Sequence, residues 1–234
     1  MKFNTLTQGL RRTAALGTGL LVAALIPGTV AALITGSGHD LAGTAAGTNG
    51  GDQICIYCHT PHNASTVIAD APLWNHQVNT GAAYIAYSDP AGTMDATAGT
   101  PNGISALCMS CHDGTIGVDN YGGFTPGTFI GTISSVADFG LDLSNDHPIS
   151  FTYDTNLANT DAELWDPSVA TVSVGTGGTA QTGTIAAVML FGAGQSVECS
   201  SCHDVHNTQV SAENYKLVRD NMVGSELCLD CHNK

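Results

Sequence analysis

The five-residue phrase Cys-x-x-Cys-His occurs four times, at Cys55 to His59, Cys108 to His112, Cys199 to His203 and Cys228 to His232. Two thiols three residues apart on a turn can each add to one vinyl group of a single porphyrin. The histidine that follows then sits under the iron as its proximal ligand. On this chemistry Cys55, Cys58, Cys108, Cys111, Cys199, Cys202, Cys228 and Cys231 are expected to anchor four haem c groups. His59, His112, His203 and His232 are the expected proximal ligands. The four phrases use all eight cysteines, so no thiol is left for a disulfide or a nucleophile. Paired CxxC motifs also hold structural zinc, but zinc does not require a histidine after every second cysteine. A thioredoxin-like redox pair needs one CxxC on a βαβ unit, not four.

Each iron has a second axial position, and its occupant decides the function. Nine histidines less the four proximal ones leave His39, His62, His76, His147 and His206. His62 and His206 each follow a proximal histidine by three residues, on the same side of a helical turn. Neither can reach over the porphyrin to cap its own iron, but each can cap a neighbour. That spacing predicts closely stacked, roughly parallel haems. His147 lies between Asp146 and Pro148, where Asp146 or a backbone carbonyl can fix the ring tautomer. His76 follows Trp74 and Asn75, an indole suited to packing on porphyrin. His39 stands on an arm with Asp40 beside it, either as a ligand or as a solvated loop histidine. Five donors exceed four irons by one, so one is spare or crosses between chains. Methionine is the competing ligand: Met109 lies inside a CxxC loop and cannot turn back, whereas Met94, Met189 and Met222 are free in principle. Bis-histidine ligation lowers the reduction potential relative to His/Met, which suits anaerobic respiration.

The elements that must position these groups are sparse. Residues 1–32 read as a signal peptide: Lys2, Arg11 and Arg12, an apolar run, then small residues at Thr29 to Ala32. No other stretch is long and apolar enough to span a bilayer. Cleavage leaves about 202 residues, with three basic side chains against 20 acidic ones, a formal charge of −17. So acidic a surface repels nucleic-acid phosphates and anionic lipid. One haem per roughly 50 residues makes the porphyrins much of the apolar core. The expected fold is therefore a multihaem cytochrome c of mostly irregular loops and short helices around four stacked haems.

Residues 33–112 form an N-terminal arm and a first dihaem module. Residues 113–195 are a Gly/Thr-rich insertion carrying His147. Thr128 to Val136 and Ala170 to Gly175 there show β-branched alternation, and Gly183 to Leu190 is expected to pair back as a hairpin. Residues 196–234 form a second dihaem module, with a short helix expected over Ser211 to Asp220. Each module reads CxxCHxxHN and then Leu-Cys-x-x-Cys-His, an internal duplication.

The ordered set His39-Asp40-Leu41, CxxCHTPHN, PLWNH at 72–76, LCxxCHDG, NDHPISF at 145–151, CxSCHDxHN and LCxxCH resembles tetrahaem c-type cytochromes with doubled CxxCH motifs. The likeness is to the OmcE-type extracellular cytochrome nanowires, over nearly all of the chain after residue 32. The resemblance implies subunits that polymerise into filaments, haems that form one continuous bis-histidine chain, and one iron per subunit capped from its neighbour. His39 is the expected crossing donor. The 113–195 insertion has no residue-by-residue match to the family.

The expected function is electron transfer without a catalytic site, in a homopolymeric conductive filament at the cell surface or outside the cell. Redox proteins, minerals or electrodes are the expected partners. A soluble periplasmic tetrahaem shuttle is the alternative. A multihaem reductase would need an iron with an open position, and here donors exceed irons.

Overall fold

Regular structure is short because few residues lie between one haem-anchoring phrase and the next turn. The computed structural model describes residues 34–44, 52–69, 71–123, 127–175, 180–208 and 216–234. All of these fall within the unit Ala31–Lys234. The expected signal peptide and residues 211–215 of the expected second-module helix lie outside the described residues. Residues 217–220 of that helix run as turn, bridge and bend.

The longest described helix is α1, Gly103–His112, which carries the second phrase whole. It ends at Asp113, whose N–H bonds to the Met109 carbonyl at 3.0 Å. Gly114, at φ 71°, then turns the chain away in a conformation that a β-carbon disfavours. After it come α2 (Ile130–Ile133), β1 (Phe151–Thr152), α3 (Thr155–Thr160), β2 (Thr171–Val174) and β3 (Gln181–Thr184). They are followed by α4 (Ile185–Val188), β4 (Ser196–Val197), α5 (Cys199–Cys202) and α6 (Glu226–Leu229). The 3-10 turn Ile54–Tyr57 holds the first phrase.

The β content is two small antiparallel ladders. In one, Phe151 pairs with Val197. In the other, Thr171 pairs with Thr184 and Val174 with Gln181. The second ladder is the expected hairpin with its return strand moved forward. The strand ends at Thr184, whose hydroxyl accepts the Ala187 N–H at 3.3 Å and so starts α4 instead of extending the sheet. Thr128 to Val136 is not a strand: its middle turns as α2, and Ser134 N–H bonds to the Ile130 carbonyl at 2.8 Å. The Thr/Ile alternation there gave way to a turn that buries Ile130 alone.

Two apolar cores result, and the insertion feeds both. Val118, Tyr121 and Ile130 join Tyr57, with Cys58 and Cys111 packed against them. Tyr153, Val174, Ile185, Met189 and Leu190 join Val197, Val218 and Leu227, with Cys202 and Cys231 packed against them. The insertion therefore packs behind the second cysteine of every phrase. Helix α3 beside the larger core is capped by Asp154, which accepts the Leu157 N–H at 2.9 Å. Asp154→Ala is expected to cost about 1 kcal/mol, read as a lower midpoint in chemical denaturation at unchanged slope.

Candidate metal centres

The eight thiols are all unpaired by disulfides. Burial pushes the second cysteine of each phrase upward: Cys58 to about 11, Cys111 to about 12, Cys202 to about 11 and Cys231 to about 12. Each is a neutral thiol set on a core, with its partner three residues back nearer solvent in the case of Cys55 and Cys228. The second and third phrases adjoin where α1 packs against α5.

Glu198 secures that junction. Its carboxylate accepts from Ser105 on α1, and from Ser150 at 3.0 Å. The Ser105 hydroxyl in turn accepts the Cys199 N–H at 3.0 Å. Glu198 is 3% exposed, and burial raises its carboxyl above the ordinary range, opposed by the serine hydrogen bonds. The fold thus disfavours the charged carboxylate relative to the unfolded chain. The stability it contributes is present below its unfolded pKa of about 4.3 and fades as pH rises through the folded value. Glu198→Gln is expected to flatten the pH dependence of stability on that upward side, measured by denaturation of variant and parent across pH.

Three of the four expected proximal rings are aimed by backbone carbonyls. His59 Nδ1 bonds to the Pro72 carbonyl at 2.5 Å, His112 Nδ1 to Ala137 at 2.7 Å and His203 Nδ1 to Lys216 at 2.9 Å. A carbonyl oxygen only accepts, so Nδ1 carries the proton and Nε2 keeps its lone pair for iron. His112 also lies against Phe139, with centroids 5.2 Å apart and planes 16° off parallel.

The duplication extends well beyond the sequence phrases. An offset of 144 carries Cys55 to Cys199, His59 to His203, His62 to His206 and Pro72 to Lys216. The backbone follows it. Thr60 N–H bonds to Leu73 and Asp204 N–H to Leu217; Asn75 N–H bonds to Cys58 and Arg219 N–H to Cys202. His59 bridges to Trp74 as His203 does to Val218. Asn63 and Asn207 have φ 55° and 53°, and Leu73 and Leu217 both have φ 54°. The repeat breaks at His76, where the second module has Asp220.

The five further histidines divide. His39 lies 6.0 Å from His112 between ring centroids, and His206 lies 6.0 Å from His59 with planes 12° apart. His39 is pushed down to about 4, first by burial and then by the neighbouring imidazoles of His112, His203 and His206. Asp40 turns its carboxylate to the Gly36 N–H at 2.8 Å. His147 is exposed, its Nδ1 fixed by the Pro148 carbonyl at 2.9 Å. After burial, His147 is the largest influence lowering His232. His62 is exposed. His76 alone is fully buried, at 2% exposure. Its Nδ1 faces the Gln77 carbonyl and its Nε2 the Gly117 carbonyl, both at 2.9 Å, with Cys111 Sγ 3.5 Å from Nε2. Trp74 beside it is 9% exposed, and its centroid lies 6.4 Å from that of His76.

This donor set fits haem c: paired thiols on short turns, imidazoles with Nε2 left open, and rings that face one another across a gap. Among the described residues, no group of three or more His, Cys, Asp or Glu side chains converges on a point that could hold a bare metal ion. Residues 192–234 match the doubled CXXCH motif family. That segment is a doubled CXXCH domain. It holds the third and fourth phrases and begins four residues before the expected module boundary at 196. Such a domain implies a multihaem c-type cytochrome, and with it electron transfer. None of the curated proteins matches the chain. Among the described residues, no helix is long and apolar enough to cross a membrane.

The carbonyls of Pro72, Ala137 and Lys216 were invisible in the sequence, because every residue offers one. The serine–glutamate junction was equally silent, although Glu198 directly before Cys199 was a signal worth weighing.

Proposed function

We propose that this chain is a tetrahaem electron conductor, secreted and polymerised into an extracellular filament, with no catalytic site. Haem c, when bound, supplies one-electron redox chemistry. The protein's part is to anchor, orient and space four such groups.

The observation that carries this reading is the way the four phrases adjoin one another. Cys58 and Cys111 pack on one core, and Cys202 and Cys231 on the other. Helix α1, which carries the second phrase, packs against α5, which carries the third, where the Ser105 hydroxyl accepts the Cys199 N–H at 3.0 Å. Groups anchored at these thiols would have neighbouring edges from one module into the next. Nothing in the arrangement isolates one phrase as a substrate site. Filament formation rests on the resemblance of the ordered motifs to OmcE-type nanowire subunits. An acidic surface rich in Gly and Thr suits contact with cationic partners and mineral surfaces.

A soluble tetrahaem shuttle is the second reading. It is favoured by the nearness of His39 to His112 of its own chain. Negative-stain electron microscopy of the native haem-loaded protein separates the two. Long filaments with a one-subunit repeat are the expected result. Particles that stay monomeric across concentration and pH would leave the shuttle.

A further inference from the structure

We infer that the 113–195 insertion holds the second and fourth phrases in place: the strip Ala137–Phe139 positions His112, the strip Glu163–Trp165 positions His232, and Asp138 latches the first strip. The inference rests on the haem-protein reading above and deepens it by giving the insertion a task at two of the four phrases.

The first and third phrases show what such a strip does, each with a segment of its own module. The Thr60 N–H bonds to the Leu73 carbonyl, the Asn75 N–H bonds to the Cys58 carbonyl, and Trp74 bridges to His59. Leu217, Arg219 and Val218 repeat this about His203. The fourth phrase makes the same three contacts, but with the insertion. The Asn233 N–H bonds to the Glu163 carbonyl and the Trp165 N–H to the Cys231 carbonyl, both at 2.9 Å, and Leu164 bridges to His232. Glu163, Leu164 and Trp165 therefore stand where Leu73, Trp74 and Asn75 stand, in the same register and the same antiparallel sense. That register puts Ala162 in the place of Pro72. The match lies in backbone bonds and not in residue types, so no sequence motif carries it.

The second phrase is held differently, because α1 keeps its backbone helical. The Ala137 carbonyl accepts from His112 Nδ1 at 2.7 Å, and the Phe139 N–H bonds to the His112 carbonyl at 2.8 Å. The Phe139 ring lies nearly parallel to the imidazole. One short strip grips the histidine by its outer nitrogen, its backbone and its ring face. Asp138 stands between the two gripping residues in sequence, and two glycines make room for its carboxylate. A β-carbon at Gly131 would lie 2.5 Å from Asp138 Oδ2, and one at Gly114 would lie 2.7 Å from Oδ1. Gly131 has no positive φ, so space and not backbone conformation accounts for a glycine there. The carboxylate thus packs on both the turn after α1 and the helix α2.

The strips act on an iron only through its histidine. The orientation of a ligating imidazole, and the bond at its other nitrogen, tune the metal. Phe139, Asp138 and Trp165 are therefore positioning residues.

The test is low-temperature electron paramagnetic resonance of the oxidised, haem-loaded protein and four variants, read as how many low-spin signals per chain move from their native positions. Phe139→Leu removes the ring and keeps the backbone, and Gly131→Ala drives the Asp138 carboxylate from its seat. Both are expected to move the signal of one haem, and of the same haem. Trp165→Pro removes the N–H that bonds to Cys231 and is expected to move the signal of one other haem. Val136→Ala lies beside the first strip but is 87% exposed, and it is expected to move none. Native positions in Phe139→Leu, in Gly131→Ala or in Trp165→Pro would overturn the inference. So would movement of all four signals in any of these, or the same movement in Val136→Ala. Should Trp165→Pro fail to fold, hydrogen exchange of the native protein decides the second strip. The Trp165 and Asn233 amides are expected to be as protected as those of Asn75 and Thr60, and free exchange at both would overturn it. The covalent haem count of the native protein keeps two failures apart. No haem refutes the function itself, whereas four haems with unmoved signals refute only the task given to the insertion.

Discussion

A variant with Cys199 and Cys202 both replaced by alanine is expected to carry three covalent haems per chain against an expected four in the native protein. The thioether bonds can form only from thiols, and every cysteine of the chain belongs to one of the four phrases. The other three phrases stand on their own turns: the 3-10 turn at Ile54–Tyr57, helix α1 and helix α6. The third phrase is the most connected of the four. The Cys199 N–H bonds to the Ser105 hydroxyl across the module boundary, and Cys202 flanks the larger core. The variant is therefore also expected to melt earlier, because a covalent cofactor contributes folding free energy. Haem count from the reduced pyridine complex against protein mass gives the number directly. A count that stays at four would show that these thiols are not anchors.

Arg219→Met is expected to destabilise the protein by about 3 kcal/mol, from acceptors left without a donor in a buried site. Arg219 is 5% exposed. Its guanidinium donates to the Val188 carbonyl at 2.8 Å, the Ser200 carbonyl at 3.3 Å and Gln181 Oε1 at 2.8 Å. One side chain thus ties the end of α4, the third phrase and strand β3. Burial lowers its pKa, opposed by Asp204 and other nearby negative groups. Methionine keeps most of the volume and none of the donors. Lysine keeps the charge without the planar fork, so Arg219→Lys is expected to recover only part of the loss. Denaturant unfolding of both variants measures this. A change under about 0.5 kcal/mol for the methionine variant would mean that water replaces the guanidinium without cost.

How much could be seen beforehand follows from what each feature depends on. The doubled CXXCH motif was legible because thioether chemistry fixes residue type and spacing, and so was the duplication. The hairpin was legible from β-branched residues, but its return strand was misplaced because Thr184 is both a good strand residue and a good helix cap. The five spare histidines are the same residue to any sequence pattern. Only burial separates His76 from the rest, and burial depends on Gly117 arriving from forty-one positions along the chain. The insertion had no recognisable motif, yet it supplies both cores. Its apolar residues are scattered among Gly and Thr, so no periodicity announces them.

The most direct test of the account is low-temperature electron paramagnetic resonance of the oxidised native protein, with spin counted against protein. Four low-spin ferric haems per chain and no high-spin signal are predicted, because the five histidines beyond the four CxxCH phrases are enough to give every iron a second imidazole. A high-spin signal amounting to one iron or more per chain would contradict it, since some iron would lack a second imidazole.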